Sequence, residues 1–142
     1  MDRRHLIALA PALMAATAAQ AAKPAVQEAT GQYVDLSPVA LPVVVGGKLV
    51  NYVFVSVRLN LSPSADAAKL RAKEPYFRDA LVRAGHRTPF TNPRTYLELD
   101  TAKLRASLLR EAGAIAGAKN FTSVTVSSQT PKQRTGLPRP PA

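Results

Sequence analysis

Apolar positions recur at two periods along the chain, and the changes of period mark the elements. Leu41-Pro42-Val43-Val44-Val45 and the run from Lys48 to Leu61 are β-branched stretches separated by Gly46-Gly47. Glycine reaches the positive φ angles of a tight primed turn, so the two runs predict a β-hairpin. In the second run Leu49, Val53, Val55, Val57, Leu59 and Leu61 hold odd positions, while Tyr52, Ser56, Arg58 and Asn60 hold even ones. That alternation buries one side of the strand and leaves the other half wet. At about 3.3 Å per residue such a strand spans most of a small domain and acts as its spine. Upstream, Tyr33 to Pro38 begins an extended segment. Prolines at 38 and 42 confine this first strand to a sheet edge, because proline cannot donate to a ladder.

After Leu61 the period lengthens. Ser62-Pro63-Ser64 offers a helix start, with Asp66 in the first turn, where a negative charge suits the helix dipole. Leu70, Phe77, Leu81 and Ala84 then fall on one helical face. Pro75 interrupts that face, which predicts a kink, or two helices with the second starting at Glu74-Pro75; Gly85 is the expected stop. His86 to Pro93 reads as a loop, and Tyr96-Leu97-Glu98-Leu99 alternates briefly before Asp100, a good N-cap. Leu104, Leu108, Ala112 and Ile115 line the next helix, which Gly117 closes, and Phe121 to Ser128 alternates as a last strand. Beyond Gln129 the chain is basic and proline-rich, with the composition of an extended, mobile tail over residues 131–142. The order strand, strand, helix, helix, strand predicts an α+β domain over residues 33–130: a small sheet, hairpin plus C-terminal strand, with two or three helices on one face.

Composition narrows the function classes. The 142 residues carry a formal charge of +10, which points to anionic partners. Residues 1–21 resemble a cleavable export signal: Arg3 and Arg4, an apolar run from Leu6 to Ala19, and a small-residue cleavage pattern at Ala19-Gln20-Ala21. The run is short for a bilayer span and is broken by Pro11, although an uncleaved membrane anchor is the competing reading. Arg3-Arg4-His5-Leu6-Ile7 also has the form of a twin-arginine motif. Cleavage after Ala21 removes Asp2, Arg3 and Arg4, so the basicity belongs to the mature chain, which opens with a small, polar lead-in over residues 22–32. An exported, periplasmic protein rarely meets DNA, which moves the expectation from nucleic acid to membrane surfaces, envelope polymers and acidic proteins. No cysteine is present, so no disulfide staples the fold.

Little in the chain suggests catalysis. After cleavage His86 is the one histidine left, and neither a zinc site nor a Ser-His-Asp arrangement has a signature. Glu98 and Asp100 could be imagined as paired carboxylates, but Asp100 is better explained as a helix cap. Gly46-Gly47 lacks the context of a phosphate loop. The expectation is a protein that is not an enzyme and needs no cofactor. The cations Lys69, Lys73 and Arg87, with Lys132, Arg134 and Arg139 of the tail, are the candidate anion-binding set, against the plainer reading of a solvated surface.

One family likeness accompanies this pattern. An edge strand, a long apolar strand containing Val55-Ser56-Val57-Arg58-Leu59, and a helix carrying Lys73-Glu74-Pro75-Tyr76-Phe77-Arg78-Asp79-Ala80-Leu81 resemble the periplasmic domain of the flagellar basal-body-associated FliL family. The family's Arg-Asp pair is matched by Arg78 and Asp79, and the likeness spans about residues 33 to 130. It implies a stomatin-like fold, a scaffolding role beside the flagellar stator or basal body, and self-association into rings. The apparent export signal departs from the family's N-terminal transmembrane helix. Arg78, Asp79 and Arg83 are the candidate partner interface. Two functions follow as expectations: an exported accessory scaffold of the envelope, or a periplasmic module that binds an anionic polymer or membrane surface.

Overall fold

A computed structural model describes residues 31–141. The export-signal residues Arg3, Arg4, Ala19 and Ala21 and most of the lead-in lie outside the described residues. Three antiparallel strands, β1 (Tyr33–Val45), β2 (Lys48–Leu61) and β3 (Phe121–Pro131), form one sheet in the order β1-β2-β3. β2 is therefore the central spine, and β1, with its two prolines, is an edge. Gly46 and Gly47 have φ of 56° and 78°, the double positive φ of the expected two-residue primed turn.

Classical alternation alone does not bury the right residues on β1, because Val34 and Leu36 are even while Val39, Leu41 and Val43 are odd. A bulge resolves this. Leu36 pairs with Val57 and Val39 with Val55, so Ser37 and Pro38 together oppose Ser56, and the parity of β1 changes there. All five apolar side chains consequently reach the same core. The freed N–H of Ser37 donates to Glu74 Oε1 at 2.9 Å. A second bulge corrects the reading of β2: Val43 pairs with Asn51 and Val44 with Leu49, leaving Val50 extra. Leu49, expected in the core, is turned out to solvent, and Asn51 is buried instead.

The helices are α1 (Ala67–Ala72), α2 (Glu74–Arg87) and α3 (Thr101–Ala116), followed by a single 3₁₀ turn at Ala118–Asn120. α1 and α2 lie against β1 and α3 against β3, with α2 and α3 side by side, so the layers are helices on one sheet face. Leu70, Phe77, Leu81, Ala84, Leu104, Leu108 and Ala112 meet Val53, Val55, Val57 and Leu59 in the core, and Phe77 stands edge-to-face on Phe121 with centroids 5.6 Å apart. The α+β expectation holds, and α2 starts at Glu74 with Pro75 in its first turn. α1 begins later than Ser62-Pro63-Ser64 suggested, because Asp66 is its N-cap, accepting from the Lys69 N–H. Gly85 does not stop α2, which continues to Arg87. It is needed for close packing: a Cβ there would lie 2.9 Å from Leu41 Cδ2.

Tyr96-Leu97-Glu98-Leu99 does not form a strand; one bridge joins Thr91 to Leu99. Instead the 88–100 loop is tied down by side chains. Thr91 Oγ1 accepts from Val44 N–H and donates to Val44 C=O, and Leu99 N–H donates to Gln129 Oε1. β3 also runs past Gln129 to Pro131, and the chain then stays docked: Lys132 N–H donates to Tyr52 C=O, and Leu137 packs against the core. Among the described residues no helix is long and apolar enough to cross a membrane.

Candidate anion-binding site

Lys103, Ala106, Ser107 and Arg110 fall at helical spacings on one strip of α3, which borders the last turn of α2. With Ala84, Arg87, Thr88 and Phe90 they line a cleft of ≈ 300 Å³. Its apolar wall is inherited from the core, because Ala84 and Phe90 are buried. Its rim is cationic. Arg87 is held by Glu111 of α3, Nη2 to Oε1 at 3.3 Å, whereas Lys103 and Arg110 have no carboxylate partner among the described residues. Ser107 is buried, only 7% exposed, and its hydroxyl makes no hydrogen bond to the described residues.

A second cleft, ≈ 250 Å³, forms where the C-terminal segment passes residues 94–97. Arg94, Arg134 and Arg139 line it together with Leu137 and two prolines. A smaller hollow of ≈ 200 Å³ includes Lys132, whose ammonium lies 5.9 Å from the Tyr52 ring centroid, at the limit of a cation–π contact.

The six cations expected to bind anions thus occupy four places. Lys69 and Lys73 belong to α1 and its C-cap, while Arg87 ends α2, about 20 Å of helix away. Arg87 joins the α2–α3 cleft, Arg134 and Arg139 the tail cleft, and Lys132 the hollow beside Tyr52. The interface candidates are not paired with each other at Arg78-Asp79. Arg78 approaches Glu74 at 4.0 Å, and Asp79 pairs with Arg83 at 2.7 Å, both one turn along α2. Asp100 caps α3 by accepting from Lys103 N–H, and Glu98 is exposed. Among the described residues no three of His, Asp and Glu gather where they could hold a metal ion.

Sequence reasoning missed Lys103, Arg110, Arg94 and Ser107. The signal was present for the first two, since Lys103, Ser107 and Arg110 share a helical strip, but only the α2–α3 packing shows that this strip borders a cleft. No family model matches the chain, and no curated protein matches it either.

Proposed function

We propose that this is a non-enzymatic accessory protein of the cell envelope, exported by its N-terminal segment, that acts by binding an anionic envelope surface, either a polymer or a membrane headgroup layer. The observation that carries the proposal is how the carboxylates are spent. Of the 19 Lys and Arg and 9 Asp and Glu in the chain, three and two precede residue 31, so the described domain is strongly basic. Asp35, Glu74, Asp79 and Glu111 each face an arginine, and Asp66 and Asp100 cap helices. Only Glu98 remains, against a surface on which Lys103, Arg110, Arg94, Arg134 and Arg139 have no carboxylate partner among the described residues. An excess of this kind draws a polyanion by long-range attraction that salt screens.

The test is co-sedimentation of the protein with anionic and neutral vesicles and with isolated wall polymer. Between about 0.01 M and about 0.15 M salt the Debye length shrinks from ~30 Å to ~8 Å, and binding should fall steeply over that range. Binding that is absent at low salt, or indifferent to salt, overturns the proposal.

A second reading is a FliL-like scaffold with a stomatin-like fold, working beside the flagellar stator and self-associating. It is favoured by Tyr76, which stands 64% exposed on α2 near the Asp79–Arg83 pair. A bare tyrosine beside a fixed charge pair suits a protein contact. Loss of swimming in a deletion strain that still carries filaments would support it, and normal swimming would sink it.

A further inference from the structure

We propose that the cleft between α2 and α3 is a binding site for one phosphate group carried on a small, partly apolar ligand, with Lys103, Arg110 and the Ser107 hydroxyl as its donors. This inference deepens the anion-binding reading and rests on it.

The decisive residue is Ser107. A helix interior on a packed face favours alanine or leucine, and a buried hydroxyl without a partner carries a desolvation cost that proteins rarely leave standing. Here the residue is more than nine-tenths buried and lines the cleft, and its hydroxyl is unpartnered among the described residues. An oxygen acceptor entering the cleft would remove that cost. Lys103 and Arg110 lie about one turn to either side of Ser107 along α3, so two cationic side chains line the same cleft on either side of the hydroxyl.

The donor set selects phosphate over carboxylate. Arg87 is offset by Glu111, leaving the two charges of Lys103 and Arg110, which match the charge of up to two on a phosphomonoester. A carboxylate presents two coplanar oxygens, whereas a phosphate presents three acceptors in a tetrahedral spread that the ammonium, guanidinium and hydroxyl can share, with Thr88 at the margin. α2 ends at this cleft, and its C-terminal dipole, about half a negative charge, opposes an anion there. Two full positive charges outweigh it. The apolar side, Ala84, Ala106 and Phe90, and a volume of ≈ 300 Å³ leave room for a short organic portion beyond the phosphate.

The phosphate could belong to a lipid headgroup or to a soluble phosphomonoester, and the experiment separates the two sources. The full chain is titrated with inorganic phosphate and with glycerol phosphate by calorimetry, and sedimented with vesicles containing phosphatidate. The variants are Ser107→Ala, Lys103→Gln with Arg110→Gln, and Lys69→Gln with Lys73→Gln as a control of equal charge change. Ser107→Ala should raise the melting temperature of the free protein while weakening phosphate binding about tenfold, the worth of one charge-assisted hydrogen bond. Those opposite signs are not expected of a merely structural serine. The Lys103/Arg110 variant should abolish phosphate binding and the control should leave it intact. Binding of glycerol phosphate that competes with vesicles supports a site open to soluble ligands; binding of phosphatidate vesicles alone, lost with Lys103/Arg110 and kept in the control, supports a headgroup site. If the control loses as much as the Lys103/Arg110 variant, the site is overturned while general anion binding stands. If the unaltered protein binds neither vesicles nor phosphate at low salt, both readings fall.

Discussion

Asn51 and Gln133, separated by 82 residues, exchange two hydrogen bonds: the Asn51 amide donates to Gln133 C=O at 3.0 Å, and its carbonyl accepts from Gln133 N–H at 3.1 Å. The side chain thus supplies what a neighbouring strand would, and it carries the ladder past the end of β3. The same amide donates to Tyr96 C=O at 2.9 Å, so one residue ties together β2, the 88–100 loop and the C-terminal segment. It is 4% exposed, and its polar atoms are all satisfied. Replacement by Ala should cost about 2 kcal/mol by leaving those partners unpaired. Urea denaturation measures the loss, and limited proteolysis should show the C-terminal segment cut sooner than in the parent.

Gly85 and Leu41 give a second prediction. Alanine at a helix interior is worth about 1 kcal/mol over glycine, yet here its Cβ would stand 2.9 Å from Leu41 Cδ2 in a core where Leu41 is fully buried. Overpacking typically costs about 1–3 kcal/mol, which exceeds the propensity gain. Gly85→Ala should therefore destabilise, and Leu41→Val should cost less in that background than alone, because the new methyl occupies the space vacated. A double-mutant cycle by chemical denaturation reads the coupling. Additive costs would show that the contact relaxes without penalty.

These two sites also mark where sequence pattern stops being informative. The hairpin, the apolar faces of α2 and α3, the break at Pro75 and the Asp100 cap were all legible, because each is written in residues that are neighbours along one element. Asn51 interrupts the apolar alternation of β2 and nothing along the strand accounts for it, since its partners lie 45 and 82 residues away. Gly85 looked like a stop because glycine commonly ends helices, whereas its role is set by the side chain of another element. The candidate site was illegible for the same reason: Lys103 and Arg110 are ordinary solvated cations on an isolated helix and become a cleft only when α2 is laid beside them.

The β1 bulge predicts that length is tolerated at one point of the strand and not at others. Removing Ser37 would close the bulge, and Val34, Leu36, Val39, Leu41 and Val43, then in one unbroken alternation, would all keep the core. Removing Ala40 would instead make Val39 and Leu41 neighbours on opposite faces, so that at least one buried side chain turns outward at a cost of about 1.5–3 kcal/mol. Ser37→Ala keeps the bulge and its N–H bond to Glu74, and should change stability by less than about 1 kcal/mol. Circular dichroism through a urea gradient orders the three, and a Ser37 deletion less stable than the Ala40 deletion would refute the parity argument.

The acidic pair beside α3 separates capping from chemistry. Asp100 accepts from Lys103 N–H at 3.2 Å, so Asp100→Ala should cost about 1 kcal/mol, while exposed Glu98→Ala should lie within about 0.5 kcal/mol of the parent. Asp100→Asn or Asp100→Ser should restore most of the loss, because either side chain can accept the same bond. Thermal denaturation of the four variants is sufficient. Equal effects of Glu98 and Asp100 would mean that the two carboxylates act together after all.

Asp79 and Arg83 allow stability and recognition to be read apart. The pair is short, 2.7 Å, but both side chains are more than half exposed, so it contributes little to folding. Exchanging them, Asp79→Arg with Arg83→Asp, preserves a one-turn ion pair and the net charge while inverting the charge pattern next to Tyr76. The melting temperature should shift by no more than a degree or two, since the sequence order Asp before Arg is only slightly better matched to the helix dipole. If the α2 surface meets a protein partner or a second copy, the exchange should abolish that association, because each fixed charge would then face its own sign. Analytical ultracentrifugation and co-purification from the envelope measure the outcome. Unchanged association would remove this surface from the scaffold reading and leave the cationic clefts as the functional face.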